Sequence, residues 1–298
     1  MLYVAQTALE LGFQYALVAM ALFLSYRVLD IADLTTDGCF VLGCAVSVTL
    51  TAAGHPFLAI PAAMLAGACA GFVTAFLQTK LGVPSILAGI VTNTGLYTVN
   101  LMAMGWKANQ SLLKQDTIFT LFRATGIGGD WNPILLSGGI TVLAGVLLVA
   151  FLGTRLGLSI RATGDNRDMV SASSINPAFT TTVGLCLSNA VVALSGALIA
   201  QYQKFADNTL GTGMVVIGLA SLIIGEVLFG RGGPHALAKG VLAATVGAVV
   251  YRIIVAAAIA VNIDAKNMKL VSALIVAAAI SYPAIRDKVL FYRKRREA

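Results

Sequence analysis

Long apolar runs, broken by short polar punctuation, occupy most of this 298-residue chain. They fall at about 6–25, 36–53, 57–78, 83–104, 134–153, 178–201, 214–229, 236–261 and 268–285. Several reach the ~20 residues that carry an α-helix across a bilayer. Run 214–229 is short and reads as tilted or re-entrant, while 236–261 is long enough to tilt. Two polar insertions, 105–132 and 154–177, exceed simple turns. The pattern predicts one all-α transmembrane domain over 1–298: a polytopic bundle of about nine spans (range 8–10) with no appended soluble domain.

Composition agrees. Hydrophobic residues make up 58% and charged residues 11%, against ~25% charged in a soluble domain, and mean hydropathy is +0.87. Such a chain cannot solvate a globular surface. The net charge of +7 is better read as basic loops than as a nucleic-acid footprint, since Lys and Arg concentrate in cytoplasmic loops. Alternating the spans puts 13 basic residues on one side and 6 on the other, with Arg252 inside a span. The richer side holds Arg27, Lys80, Arg155, Arg161, Arg167 and the basic C-terminal tail. The N-terminus is then expected outside and the C-terminus in the cytoplasm. The first run lacks a small-residue cleavage pattern, so the chain is expected to keep it. Cys39, Cys44, Cys69 and Cys186 lie in or beside apolar runs without metal-ligand spacing and read as small core residues.

The stretch "RATGDNRDMVSASSINP", Arg161 to Pro177, lies on the expected cytoplasmic side. Gly164 is read as freeing the chain to turn and Asp165 as capping a short helix at about 166–174, with Asp168 in its first turn. Asn176 and Pro177 stop that helix and start the next span. Exposed apolar and basic groups on such a knob suit docking to another protein; an interfacial amphipathic helix is the plain alternative.

This stretch resembles the coupling loop of ABC-importer permeases of the branched-chain amino-acid and ribose type. "DIADLTTDGCFVLGCAV" (30–46) and "IGLASLIIGEVLFGRGG" (217–233) resemble two further motifs of that family, and the length and layout agree. Within the family, the chain is most similar to the branch linked to tryptophan or other amino-acid uptake. The resemblance implies that Arg161, Ala162, Thr163, Gly164, Asp165, Asn166, Met169, Val170, Ile175 and Asn176, in the loop at about 155–177, meet a separate ATP-binding cassette ATPase. It also implies an extracytoplasmic substrate-binding protein, a second permease subunit (a homodimer is favoured) and a bacterial inner membrane. No GxxxxGK[ST] phosphate loop occurs, so ATP and Mg are expected on the ATPase, with no cofactor, metal or catalytic residue in this chain.

Polar groups within the spans are the remaining candidates, because ionisable residues in a bilayer are costly. Glu226 and Arg252 are expected to pair if neighbouring spans bring them together, as a structural contact or as part of the path. Asp33 and Asp37 either cap the second span or border a translocation path at a helix break. Asn93, Tyr97 and Asn189 either bond between helices or line that path. Gly89, Gly95, Gly184 and Gly196 are expected to permit close packing. The rival readings are a secondary transporter of a small solute without an ATPase, and an integral membrane enzyme built on the Asp30–Asp37 region.

Overall fold

The computed structural model describes residues 2–124, 126, 129–230 and 236–260, with isolated positions at 270, 273, 274, 277 and 281. The predicted span 268–285, apart from those five positions, the loop 231–235 and the basic C-terminal tail lie outside the described residues. In chain order the helices are α1 (Leu2–Leu22), α2 (Thr36–Ala52), α3 (Pro56–Thr79), α4 (Ser85–Ala103), α5 (Ile118–Ala124), α6 (Asn132–Leu152), α7 (Arg155–Asp165), α8 (Arg167–Ala172), α9 (Pro177–Gln203), α10 (Met214–Phe229) and α11 (Ala236–Ala260). Strands β1 (Asn109–Ser111) and β2 (Phe205–Asp207) pair antiparallel, Asn109 opposite Asp207. This small ribbon departs from the all-α expectation. Among the described residues, six helices, counting α1 with its extension to Val28, are long and apolar enough to cross a membrane; α2 and α10 are apolar but shorter.

The bundle is organised around α9, which is almost wholly buried from Gly184 to Gln201. Helix association in lipid relies on close packing and interhelical hydrogen bonds, because burying apolar side chains gains little there. Both occur here. Gly43 of α2 lies against the Ala193 carbonyl, and Gly196 of α9 against that of Phe40, where a Cβ would overlap the backbone. Ser188 Oγ donates to the Ala21 carbonyl at 2.9 Å, Ser195 Oγ to Gln14 at 2.7 Å and Ser47 Oγ to Ala197 at 3.2 Å. These contacts run α2 parallel to α9, and α1 antiparallel to it. Of the other glycines expected to pack, Gly89 meets Leu34 and Gly184 meets Leu29, whereas Gly95 has open space around it. Cys39 and Cys44 are buried, with sulfurs 3.2 Å from the Asn189 and Gly196 carbonyls. Cys69 is exposed and Cys186 half-buried, so the core expectation does not extend to all four.

Two elements break the simple up-and-down pattern. α1 ends in a π-helical segment, Phe23–Val28, whose widened turn carries on to a Leu29 N–H to Leu24 carbonyl bond of 3.0 Å. The chain then turns back, with Asp30 at φ 54°, and re-enters the bundle without helical structure until Thr36. Asp33 reaches Asn189, near the middle of the 27-residue α9. By helical rise that is ~18 Å from the start of α9. α2 therefore begins at mid-depth. α10 also begins inside the bundle, after Gly213 at φ 87°, and runs to the end that carries α7 and α8.

At that end Arg27 and Glu226 form a bidentate ion pair, Nε to Oε1 at 2.5 Å and Nη2 to Oε2 at 2.6 Å. The expected Glu226–Arg252 pair is thus overturned. Glu226 sits in the last turn of α10, whereas Arg252 stands 16 residues into the antiparallel α11, ~24 Å along it. The Arg252 guanidinium instead lies 3.5 Å from the centroid of the Tyr15 ring, a cation–π arrangement.

The partly exposed ion pair should stabilise the fold by an amount between the ~1 kcal/mol of surface pairs and the ~3 kcal/mol of buried ones. Thermal denaturation of the detergent-solubilised chain should show that Arg27→Leu with Glu226→Gln loses less than the sum of the single losses. Arg252→Leu with Glu226→Gln should be additive.

Candidate functional site

Two regions gather the polar residues. The first is the end formed by α7 and α8. Thr154 caps α7, accepting from the Gly157 N–H. α8 is capped by Asn166, whose Oδ1 accepts from the Met169 N–H at 3.0 Å. Asp165 is the last residue of α7, so it does not cap the second helix as expected. Gly164 does not make a turn either. It lies within α7, where a Cβ would overlap the Val28 carbonyl. Glycine there lets α7 press against the π segment. Asp168 does stand in the first turn of α8. Asn176 caps α9 through bonds of 2.9 Å and 3.4 Å from the Ala178 and Phe179 N–H groups, with Pro177 at the first helical position.

Thr163 and Thr180 share a hydroxyl hydrogen bond of 2.8 Å that ties α7 to α9. Val170 is buried beneath α8, while Met169 projects outward at 69% exposure. Ala162 and Ile175 are half-buried; Asp165, Asn166 and Asn176 are exposed. Arg161 and Asp165 line a cleft of about 320 Å³ together with Arg27, Glu226 and the facing ends of α10 and α11. α7 therefore rests on α9 and the end of α1 and faces the end of α10 across the cleft, while α8 lies on α9.

The second region lies at mid-depth, where α2 and α10 begin. Asp33 is buried; its Oδ1 accepts from the Thr35 N–H at 2.9 Å and its Oδ2 from Asn189 Nδ2 at 2.7 Å. It holds the approach to α2 onto α9. Asp37, one turn later, accepts from the Gly213 N–H at 3.0 Å and the Val215 N–H at 2.9 Å. A side chain in the first turn of α2 thus caps α10. The two acids do not act as a pair on one helical face, since Asp33 precedes the helix.

Asp37, Asn93 and Tyr97 line a cavity of about 390 Å³, together with Gly38, Val41, Thr94, Asn100, Asn208, Thr209, Gly211 and Thr212. Of the five residues expected to line a path, these three come together. Asp33 and Asn189 are buried among helices and do not line the cavity. Asn100 Nδ2 donates to the Gly38 carbonyl at 3.1 Å and Asn208 Nδ2 to the Tyr97 carbonyl at 3.5 Å. Asn208, Thr209 and Thr212 were not singled out from the sequence. The "DNTLGTG" stretch, 207–213, carried the signal: a polar, glycine-bearing segment immediately before an apolar run too short to span. Among the described residues no group of three or more His, Cys, Asp or Glu side chains could hold a metal ion.

Comparison with known proteins places this geometry in a family. The sequence matches the "Branched-chain amino acid transport system / permease component" family over residues 5–280. It is 32% identical over 267 residues to the tyrosine transport system permease protein of Clostridioides difficile (strain R20291), covering 89% of this chain and 86% of that one. It is 31% identical over 185 residues to the autoinducer 2 import system permease protein LsrC of Escherichia coli O9:H4 (strain HS), covering 61% of this chain and 51% of that one. The fold resembles that of "PsaBC from Streptococcus pneumoniae in complex with Fab", with a TM-score of 0.53 and 13% identity over 93% of this chain and 89% of that chain. With the family match spanning nearly the whole described bundle, this chain belongs to the permease components of the branched-chain amino acid transport system family.

Proposed function

We propose that this permease is the translocating subunit of an ABC importer, moving a small polar solute of the amino-acid class by alternating access. A separate ATPase binds ATP and Mg and docks on α7 and α8. An extracytoplasmic binding protein delivers cargo at the opposite end, and a second copy of the chain completes the path. On this reading the end with α7 and α8 faces the cytoplasm of a bacterial inner membrane. The observation that carries it is the continuous connection from docking end to cavity. α7, which leads directly into α8, shares a cleft with the Glu226 end of α10, and the other end of α10 is capped by Asp37 at the cavity. Motion of the short helices has a 16-residue helix to act through, ~24 Å long. The tyrosine permease relative supports the cargo class.

Met169, 69% exposed on α8, is the docking contact easiest to test. Met169→Asp, or Arg161→Ala with Asp165→Ala, should cut co-purification with the ATPase and ATP-driven uptake by about tenfold or more, as loss of a central anchor does. Leu113→Asp, at 78% exposure in the loop before α5, should leave both unchanged. Wild-type association in the α7–α8 variants would remove the coupling role, and a chain that never co-purifies with an ATPase would be a secondary transporter.

Asp37→Asn should separate assembly from transport. The amide keeps one acceptor oxygen for the two N–H groups of α10, a loss of ~1 kcal/mol. The complex should still assemble and bind its ATPase, with uptake in proteoliposomes per assembled complex strongly reduced. Asp33→Asn should instead lower the yield of folded chain, with uptake per folded complex retained. Near-normal uptake for Asp37→Asn would place the cavity outside the path.

A further inference from the structure

α4 separates two recesses of opposite character. One is the polar cavity of about 390 Å³ that Asn93 and Tyr97 line. The other is an open groove of about 700 Å³ between α3 and α4, floored by Leu42 and Val46 of α2. At ~100° per residue, Tyr97 stands ~40° from Asn93 around α4, while the groove residues Val91, Gly95 and Val99 stand ~160–240° from it. The groove therefore lies behind the helix that walls the cavity. Its lining is apolar but for two side chains. Thr92 spends its hydroxyl on the Ala88 carbonyl at 2.9 Å, and the Cys69 thiol is only a weak donor. Val73 and Val99 are 49% and 46% exposed on the two walls, and Gly95 has open space where a Cβ would stand.

Such a groove does not stay empty in a bilayer. Its walls would forfeit dispersion contacts, and an apolar lining gives water no partners. Hydrocarbon or protein fills it, and the end of the groove shows which. α3 runs antiparallel to α9, since Gly67 meets the Asn189 carbonyl and Gly71 that of Leu185. It therefore finishes at the end that carries α7 and α8. Lys80 follows its last residue there, exposed and without an acidic partner among the described residues. Counted around α3 from Cys69, Lys80 falls at ~20°, Val73 at ~40° and Leu77 at ~80°. The cation thus continues the α3 wall of the groove, ~4.5 Å beyond Leu77. α4 starts just after it, at Ser85, without a side-chain cap, and an open helix start also favours an anion.

We infer that the groove is a binding site for an anionic phospholipid, with one acyl chain between α3 and α4 and the headgroup phosphate held by Lys80. An apolar chain joined to a negative group matches both the walls and the cation at their end. A helix from a second copy would cover the walls but offers no phosphate to the cation. The bound lipid supports α4 from behind, so one wall of the polar cavity leans on a lipid.

The test uses the full chain in phosphatidylcholine bilayers. Its two tryptophans, Trp106 and Trp131, are replaced by Phe, and one reporter is introduced by Val73→Trp or Val99→Trp, on either wall of the groove. Fluorescence quenching is titrated with phosphatidylglycerol or phosphatidylcholine brominated on the acyl chains. Leu143→Trp, at a site 60% exposed on α6, reports ordinary lipid contact. At the groove, brominated phosphatidylglycerol should reach half-maximal quenching at about fivefold lower mole fraction than brominated phosphatidylcholine, the preference that one lysine gives near an anionic headgroup. The α6 reporter should show no preference. Lys80→Gln should bring the two titrations together at the groove, and Gly95→Leu, which fills the space, should lower quenching by both lipids. Two reporters on opposite walls keep the test open if one variant fails to fold. Equal titrations with Lys80 present, or a preference that survives Lys80→Gln, overturn the site. Groove reporters that neither lipid quenches, beside a quenched α6 reporter, show protein in the groove and overturn it as well. The readout is lipid contact, so its failure leaves the transport reading untouched.

Discussion

A helix that begins inside a membrane bundle exposes backbone N–H groups where no water can take them, and each must find an acceptor within the protein. Two of the described helices begin that way, and two carboxylates meet the need. Asp33 accepts from the Thr35 N–H as the chain turns into α2 and at the same time fastens that turn to Asn189. Asp37 accepts two N–H groups at the head of α10. The remaining architecture follows from these anchors. α2 can lie parallel to α9 because its start is held at mid-depth, and α10 can run to the α7–α8 end because its own start is held there too. The cavity is the space left where both helices begin.

The same arrangement explains why costly groups are kept inside an apolar bundle. A single uninterrupted span needs no carboxylate, but it offers no polar lining either. Breaking two spans at one depth produces polar backbone, short polar side chains and a recess, at the cost of two acids that are mostly occupied in holding helix ends. The rest of the polar lining includes the neutral amides of Asn93, Asn100 and Asn208, which sit in oil at less cost than charges do.

Much of this was legible in the sequence. The apolar runs locate α1, α3, α4, α6, α9 and α11 to within a few residues. The Asn176–Pro177 start of α9 could be read directly. Pairings between elements were harder. Glu226 and Arg252 stand on consecutive helices, yet helical rise alone keeps them apart, and the partner of Glu226 lies 199 residues away on α1. The role of Gly164 was misread because a glycine needed for close contact and one needed for a turn look alike without the Val28 carbonyl in view. Asp37 capping a different helix was equally hidden: capping patterns in sequence are local, and this one spans 176 residues.

The bond between Asp33 and Asn189 joins residues 156 positions apart. A ribosome adding 5–20 residues per second takes roughly 8–30 s to cover that interval. During this time α2 has entered the translocation machinery while the helix that will hold it has yet to be made. With 17 residues, α2 is also shorter than a self-sufficient span. It enters the bilayer as a passenger, its acid still uncommitted, and its final depth is set late in synthesis, when α9 arrives.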